Sequence, residues 1–167
     1  MARAGGDAGR AMSLPPTMEE LMYANILIPT DGSELSGQAA AHGIALAKRL
    51  DSRITLLTVW PPFHVLTTDT QMIEDTRAAY QVRMLAQAET ILGAAAQVAQ
   101  SAGVACTTVH AEHEHPYQAI IDTAESSSCD LIVMASHGRR GLAAILIGSE
   151  TLKVLTHCRI PVLVHRQ

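Results

Sequence analysis

Three glycines and a serine stand between an apolar run and a helical pattern in IVMASHGRRGLAAILIGSETLKVL, Ile132 to Leu155. Gly138 and Gly141 can take positive φ or let a ligand approach the backbone. Gly148 and Ser149 open a helix, and a helix opening presents orphan N–H groups and the positive end of the dipole, which together suit an anion such as phosphate. Ordinary turns would use glycine in the same way, so loop punctuation and a phosphate cradle both stand on this evidence. Neither GxxxxGK[ST] nor a GxGxxG after the first strand is present, which excludes the two familiar phosphate loops. Asp31, in PTDGS, is the second candidate: it is either a turn residue before Gly32 or a carboxylate accepting hydrogen bonds from sugar hydroxyls.

Two other clusters carry less. In VHAEHEHPY, His113 and His115 would share one face of a strand with His110 nearby, a spacing a divalent metal can use. A polar strand end explains them better, and no metal ligand is assigned. Ser136 and His137 adjoin, but sequence neighbours rarely orient as a nucleophile and base and there is no GxSxG elbow. No catalytic residue is assigned.

These residues need a frame. Apolar runs stopped by turn chemistry predict strands at about Ala24 to Pro29, Arg53 to Trp60, Val104 to Glu112, Asp130 to Ser136 and Ile160 to Arg166. Between them, Ser33 is an N-cap for a helix from Glu34 to Leu50, with Ala40, Ile44 and Ala47 at helical spacing. Strong helix formers run from about Asp69 to Ala102, with a bend possible near Gly93 and a stop at Gly103. Pro116 fits the first turn of a helix reaching about Ser127, and Ser149 to His157 reads as a short helix. The order βαβαβαβαβ makes the fold class α/β, with a five-stranded parallel sheet and helices on both faces. In such sheets ligands sit beyond the carboxyl ends of the strands, where the Asp31 and Gly138 stretches both fall.

At 167 residues, 48% hydrophobic and 17% charged, the chain reads as one globular domain whose core, at 3% aromatic, is built from aliphatic side chains. The net charge of −4 and the lack of a basic run argue against nucleic acid. Cys106, Cys129 and Cys158 have no CxxC spacing and read as reduced thiols of a cytoplasmic protein. No apolar run approaches the roughly 20 residues that span a bilayer. Residues 1–21 lack the apolar region of a secretory signal and read as a flexible extension before the domain, 22–167.

Taken together, ILIPTDGS, the pattern Ala135-x2-Gly138-x9-Gly148-Ser149 and the closing IPVLV resemble the nucleotide-binding branch of the universal stress protein family, from Met22 to Gln167. The family pattern is G-x2-G-x9-G-[ST]; here Ala135 replaces the first glycine. The resemblance implies a Rossmann-like, adenine nucleotide alpha hydrolase-like fold, ATP, ADP or AMP as ligand, and a homodimer paired through the last strand, Pro161 to Val164. It further implies that Pro29, Thr30 and Asp31 line the adenosine, with Asp31 on the ribose and the backbone of Val59 on adenine. Met134, Ala135, His137 and Gly138 would wrap the ribose and first phosphate, and Gly148, Ser149, Glu150 and Thr151 the remaining phosphates. Glu150 would either compete with phosphate for the helix dipole or help hold Mg2+, and Arg139 and Arg140 would offset charge or lie solvated in the loop. The function implied is nucleotide binding in stress response. The alternatives are a nucleotide-independent dimeric interaction module, with the pocket closed by Ala135 and Glu150, and a slow ATP hydrolase.

Overall fold

The computed structural model describes residues 23–64, 70–137 and 147–166, with 70–75 described in backbone only. The leader, Arg139, Arg140 and the candidate site residue Gly138 lie outside the described residues.

Nine elements alternate: β1 (Asn25–Pro29), α1 (Glu34–Leu50), β2 (Arg53–Trp60), α2 (Thr70–Ala102), β3 (Cys106–Glu112), α3 (Pro116–Ser126), β4 (Leu131–Ala135), α4 (Ser149–His157) and β5 (Val162–His165). All strand pairs are parallel and the sheet order is β3-β2-β1-β4-β5. The predicted boundaries hold to within one or two residues at nearly every end. One placement differs. β3 ends at Glu112, so His113 and His115 lie in the connection to α3 rather than on a strand face. The His113 N–H still reaches the Trp60 carbonyl at 3.0 Å, but Pro116 starts α3 three residues later and the ladder cannot continue.

Alternation along the central strands sorts the core into two layers. Ile26, Ile28, Leu131 and Val133 face α1 and α2 with Ala40, Ile44, Ala47, Leu92 and Ala99. Leu27, Ile132 and Met134 face the other way, onto Ile120 and Ala124 of α3 and Val154 of α4. Burying a side chain such as Leu27 or Ile132 completely contributes about 1.5–3 kcal/mol. α1 lies close to the sheet because Gly43 has no side chain: a Cβ there would stand 2.7 Å from Ile28 Cδ1 and 3.3 Å from Val133 Cγ1.

The chain steps outward from β1 through β2 to β3, then crosses back to place β4 on the other side of β1. Consequently α1 leaves β1 towards one face while α4, following β4, packs on the other. A crevice opens between the carboxyl ends of β1 and β4, the switch point where open α/β sheets bind ligands.

Candidate functional site

The loop after β1 is held from within. The Thr30 N–H continues the sheet by donating to Leu57 O at 2.8 Å, and Gly32 then turns the chain at φ 75°. Asp31 Oδ1 accepts the Ser33 N–H at 3.0 Å, Thr30 Oγ1 lies 3.0 Å from Ser36 Oγ, and Ser33 Oγ caps α1 by accepting the Ser36 N–H. Asp31 thus serves its turn while its half-buried carboxylate stays on the crevice wall.

The start of α4 is bolted to the end of β4. The Gly148 N–H donates to Ser136 O at 2.7 Å, and the buried Thr151 hydroxyl donates to Ala135 O at 3.0 Å. Gly148 is the N-cap at φ −69° and ψ 156°, a conformation any residue adopts, so backbone freedom does not explain the glycine. Space does: a Cβ at 148 would lie 3.1 Å from Ser136 O and 3.3 Å from His137 Cα. The N-cap has no side chain to offer, and the first-turn N–H groups have no partner within the helix. Ser149 sits exposed at the first helical position.

Glu150 is placed unexpectedly. Its Oε2 accepts the Tyr117 N–H of α3 at 2.9 Å and its Oε1 pairs with Lys153 Nζ at 2.9 Å. That bond holds the Lys153 ammonium above the usual lysine range. Both oxygens are engaged, so a Mg2+ ion at Glu150 would share the carboxylate with these two partners. Among the described residues no three His, Cys, Asp or Glu side chains group to hold a metal ion. Of the histidines, His110 stacks on Trp60 with centroids 5.4 Å apart, and His113 Nδ1 accepts the His115 N–H at 2.9 Å.

Between the two strand ends lies a cavity of about 730 Å³, within the range of small-molecule sites. Eleven of the twelve residues singled out in the sequence line it: Pro29, Thr30 and Asp31 at the end of β1 and in the turn after it, Val59 from β2, Met134, Ala135 and His137 at the end of β4 and just beyond it, and Gly148, Ser149, Glu150 and Thr151 at the start of α4; the twelfth, Gly138, lies outside the described residues. The structure adds a wall that sequence reasoning missed, made by Met84, Gln87, Ala88 and Ile91 of α2, together with Trp60 and Glu114. Positions 84, 88 and 91 have the spacing of one helical face, the one signal that could have revealed them. Trp60 Nε1 and His137 Nδ1, both on lining residues, are buried without a hydrogen-bond partner among the described residues.

Residues 22–166 match the family model described as the Universal stress protein family. The chain belongs to that family. It is 33% identical over 147 residues to Universal stress protein MJ0531 of Methanocaldococcus jannaschii, covering 87% of this chain and 83% of that one. Among solved structures, hypothetical protein MJ0577 superposes with a TM-score of 0.75 at 27% identity, covering 87% of this chain and 97% of that one. A universal stress protein from Archaeoglobus fulgidus, solved in complex with dAMP, shares the fold with a TM-score of 0.61 at 17% identity, over 87% and 99% of the two chains. In this universal stress protein Ala135 is 7% exposed, and its carbonyl is the anchor for Thr151. Ala135 therefore stands in the strand, at the cavity wall, rather than in the loop beyond it.

Proposed function

We infer that this universal stress protein binds an adenine nucleotide, ATP, ADP or AMP, in the crevice between β1 and β4, and acts as a cytoplasmic homodimer in stress response. One observation carries the nucleotide reading: the cavity has the side-chain-free N-terminus of α4 at one end and the half-buried Asp31 carboxylate on its wall. Asp31 suits ribose hydroxyls, which donate to a carboxylate, while α4 suits phosphate. A protein of the same fold crystallised with dAMP, which supports an adenine nucleotide as the ligand class. The apolar wall of Met84, Ala88 and Ile91 suits the flat face of a base. Among the described residues no helix is long and apolar enough to cross a membrane.

The dimer reading rests on β5. It is an edge strand, with Val162, Leu163 and Val164 only half-buried, and an uncovered apolar edge invites pairing. Leu152 and Leu155, exposed on the helix just before it, add apolar surface. The family match begins at residue 22, which supports reading 1–21 as an extension to the domain.

The test is mass spectrometry of ligand released from the purified protein, followed by calorimetric titration with ATP, ADP and AMP. An adenine nucleotide in the released fraction and saturable heat are expected. An empty fraction and no heat with any of the three would refute the reading and favour the interaction module. Light scattering should show a dimer that Val162→Lys converts to monomer.

A further inference from the structure

Two helices open on this cavity, and they are not equivalent. At α3 every first-turn group is already used: Pro116 has no N–H, the Tyr117 N–H donates to Glu150, and those of Gln118 and Ala119 donate to His115 O at 3.0 and 3.4 Å. At α4 the N-cap is a glycine, no side chain among the described residues caps the first turn, and Ser149 adds an exposed hydroxyl. Among the described residues one helix end is therefore closed and the other is open to an anion.

The closing group is Glu150. A single carboxylate takes the Tyr117 N–H and ties down the Lys153 ammonium, each at 2.9 Å, and it adds its own negative charge at the cavity wall. These bonds remove two groups that could have met a second or third phosphate, and the carboxylate repels what remains. Glu114 lines the same cavity, and among the described lining residues there is no Lys or Arg.

We propose that Glu150 sets the charge of the ligand, so that the cavity takes an adenine nucleotide bearing one phosphate in preference to a triphosphate. This rests on the nucleotide reading above and specifies its ligand. The monophosphate sits on the α4 N-terminus and Ser149. The β- and γ-phosphates of ATP would have to lie against Glu150, whose partners keep it in place.

The experiment is calorimetric titration of wild type and Glu150→Gln with AMP and with ATP, in low salt without divalent cations. Gln keeps the size of the side chain and an oxygen for the Tyr117 N–H, but it removes the charge and releases Lys153. Wild type should bind AMP on the order of tenfold more tightly than ATP, as expected for two extra charges held several ångströms from a carboxylate in a largely solvated site. Glu150→Gln should close most of that gap by strengthening ATP relative to AMP; far-UV circular dichroism and a cooperative thermal melt show that the variant is folded. A merely structural role for Glu150 would change both affinities together and leave their ratio alone. ATP binding to wild type as tightly as AMP, or an unchanged ratio in the variant, overturns the proposal while leaving the nucleotide site standing. No binding of either nucleotide to either protein overturns both.

Discussion

Gly148 tests whether a glycine in a phosphate-binding pattern is there for the ligand or for the protein. If the ligand's approach is the reason, Gly148→Val removes binding and leaves the fold intact, since the residue sits at the end of a loop. The geometry leads elsewhere. A Cβ at 148 meets Ser136 O at 3.1 Å, His137 Cα at 3.3 Å and His137 Cβ at 3.4 Å, all belonging to the chain. Relief requires α4 to move off β4, which stretches the 2.7 Å bond from the Gly148 N–H to Ser136 O and the 3.0 Å bond from Thr151 to Ala135 O. Overpacking of this kind costs about 1–3 kcal/mol, with alanine near the low end and valine near the high end. Losing glycine at the N-cap adds some tenths to alanine's cost, while the stiffer unfolded chain returns about 0.4–1 kcal/mol. Alanine should therefore destabilise by roughly 1 kcal/mol and valine by roughly 2–3 kcal/mol. For a chain of this size that is a fall in Tm of about 2–4 °C for alanine and about two to three times as much for valine. Thermal and urea denaturation without nucleotide measure it. A Gly148→Val protein that melts like wild type yet no longer binds nucleotide would refute the packing argument and restore the ligand as the reason.

Asp130→Ala should lower stability by about 2 kcal/mol, because it strips acceptors from the Ala24 N–H at 2.7 Å and the Asn25 N–H at 3.1 Å. Chemical denaturation checks it, and a loss below about 0.5 kcal/mol would show that water replaces the carboxylate. Burial raises the thiols of Cys106 and Cys129 above the ordinary range, and Cys129 is 5% exposed. With the folded pKa raised, stability is unaffected below the unfolded thiol's pKa. It falls as pH climbs past about 9, where the unfolded chain ionises first. Replacing Cys129 with Ser should flatten part of that decline in a stability-against-pH series. In native alkylation at pH 8, followed by mass spectrometry, Cys129 should react last of the three.

The frame was legible because its signals are local. Strands β1 and β4 are unbroken apolar runs, α1 starts at a serine whose hydroxyl does cap it, and α4 begins at the residue after Gly148. The walls of the cavity at strand ends were legible for the same reason: Asp31 and Ser149 follow stop signals. What escaped depends on distance in sequence. α2 is rich in helix formers on every side, so nothing local says that Met84, Ala88 and Ile91 turn towards a cavity while Val82 and Val98 stay exposed. Glu150 finds its partner at Tyr117, 33 residues away, and only the packing of α3 beside α4 brings them together. Trp60 reads as the last residue of a β-strand, and its place beside the cavity follows from the sheet order.

The two ends of the sheet are built on opposite principles. At the amino ends, side chains close the backbone. Asn25, 2% exposed, donates to Ser127 O at 2.9 Å and accepts from Thr55 Oγ1 at 3.3 Å, Asp130 takes two N–H groups of the β1 entry, and Ser52 Oγ donates to Tyr23 O. Water has little left to solvate there, and a ligand has little to bind. At the carboxyl ends, among the described helix starts, the corresponding help is withheld at α4. α1 receives Ser33 and α3 receives Glu150, but α4 begins at a glycine that cannot cap it. A glycine start costs some stability, roughly a few tenths of a kcal/mol relative to a serine or aspartate at that position. A Ser or Asp at 148 could not recover it, because its Cβ would meet Ser136. The packing of α4 onto β4 thus places an uncapped helix start at the cavity, and under the proposed function a bound anion would supply the missing acceptor.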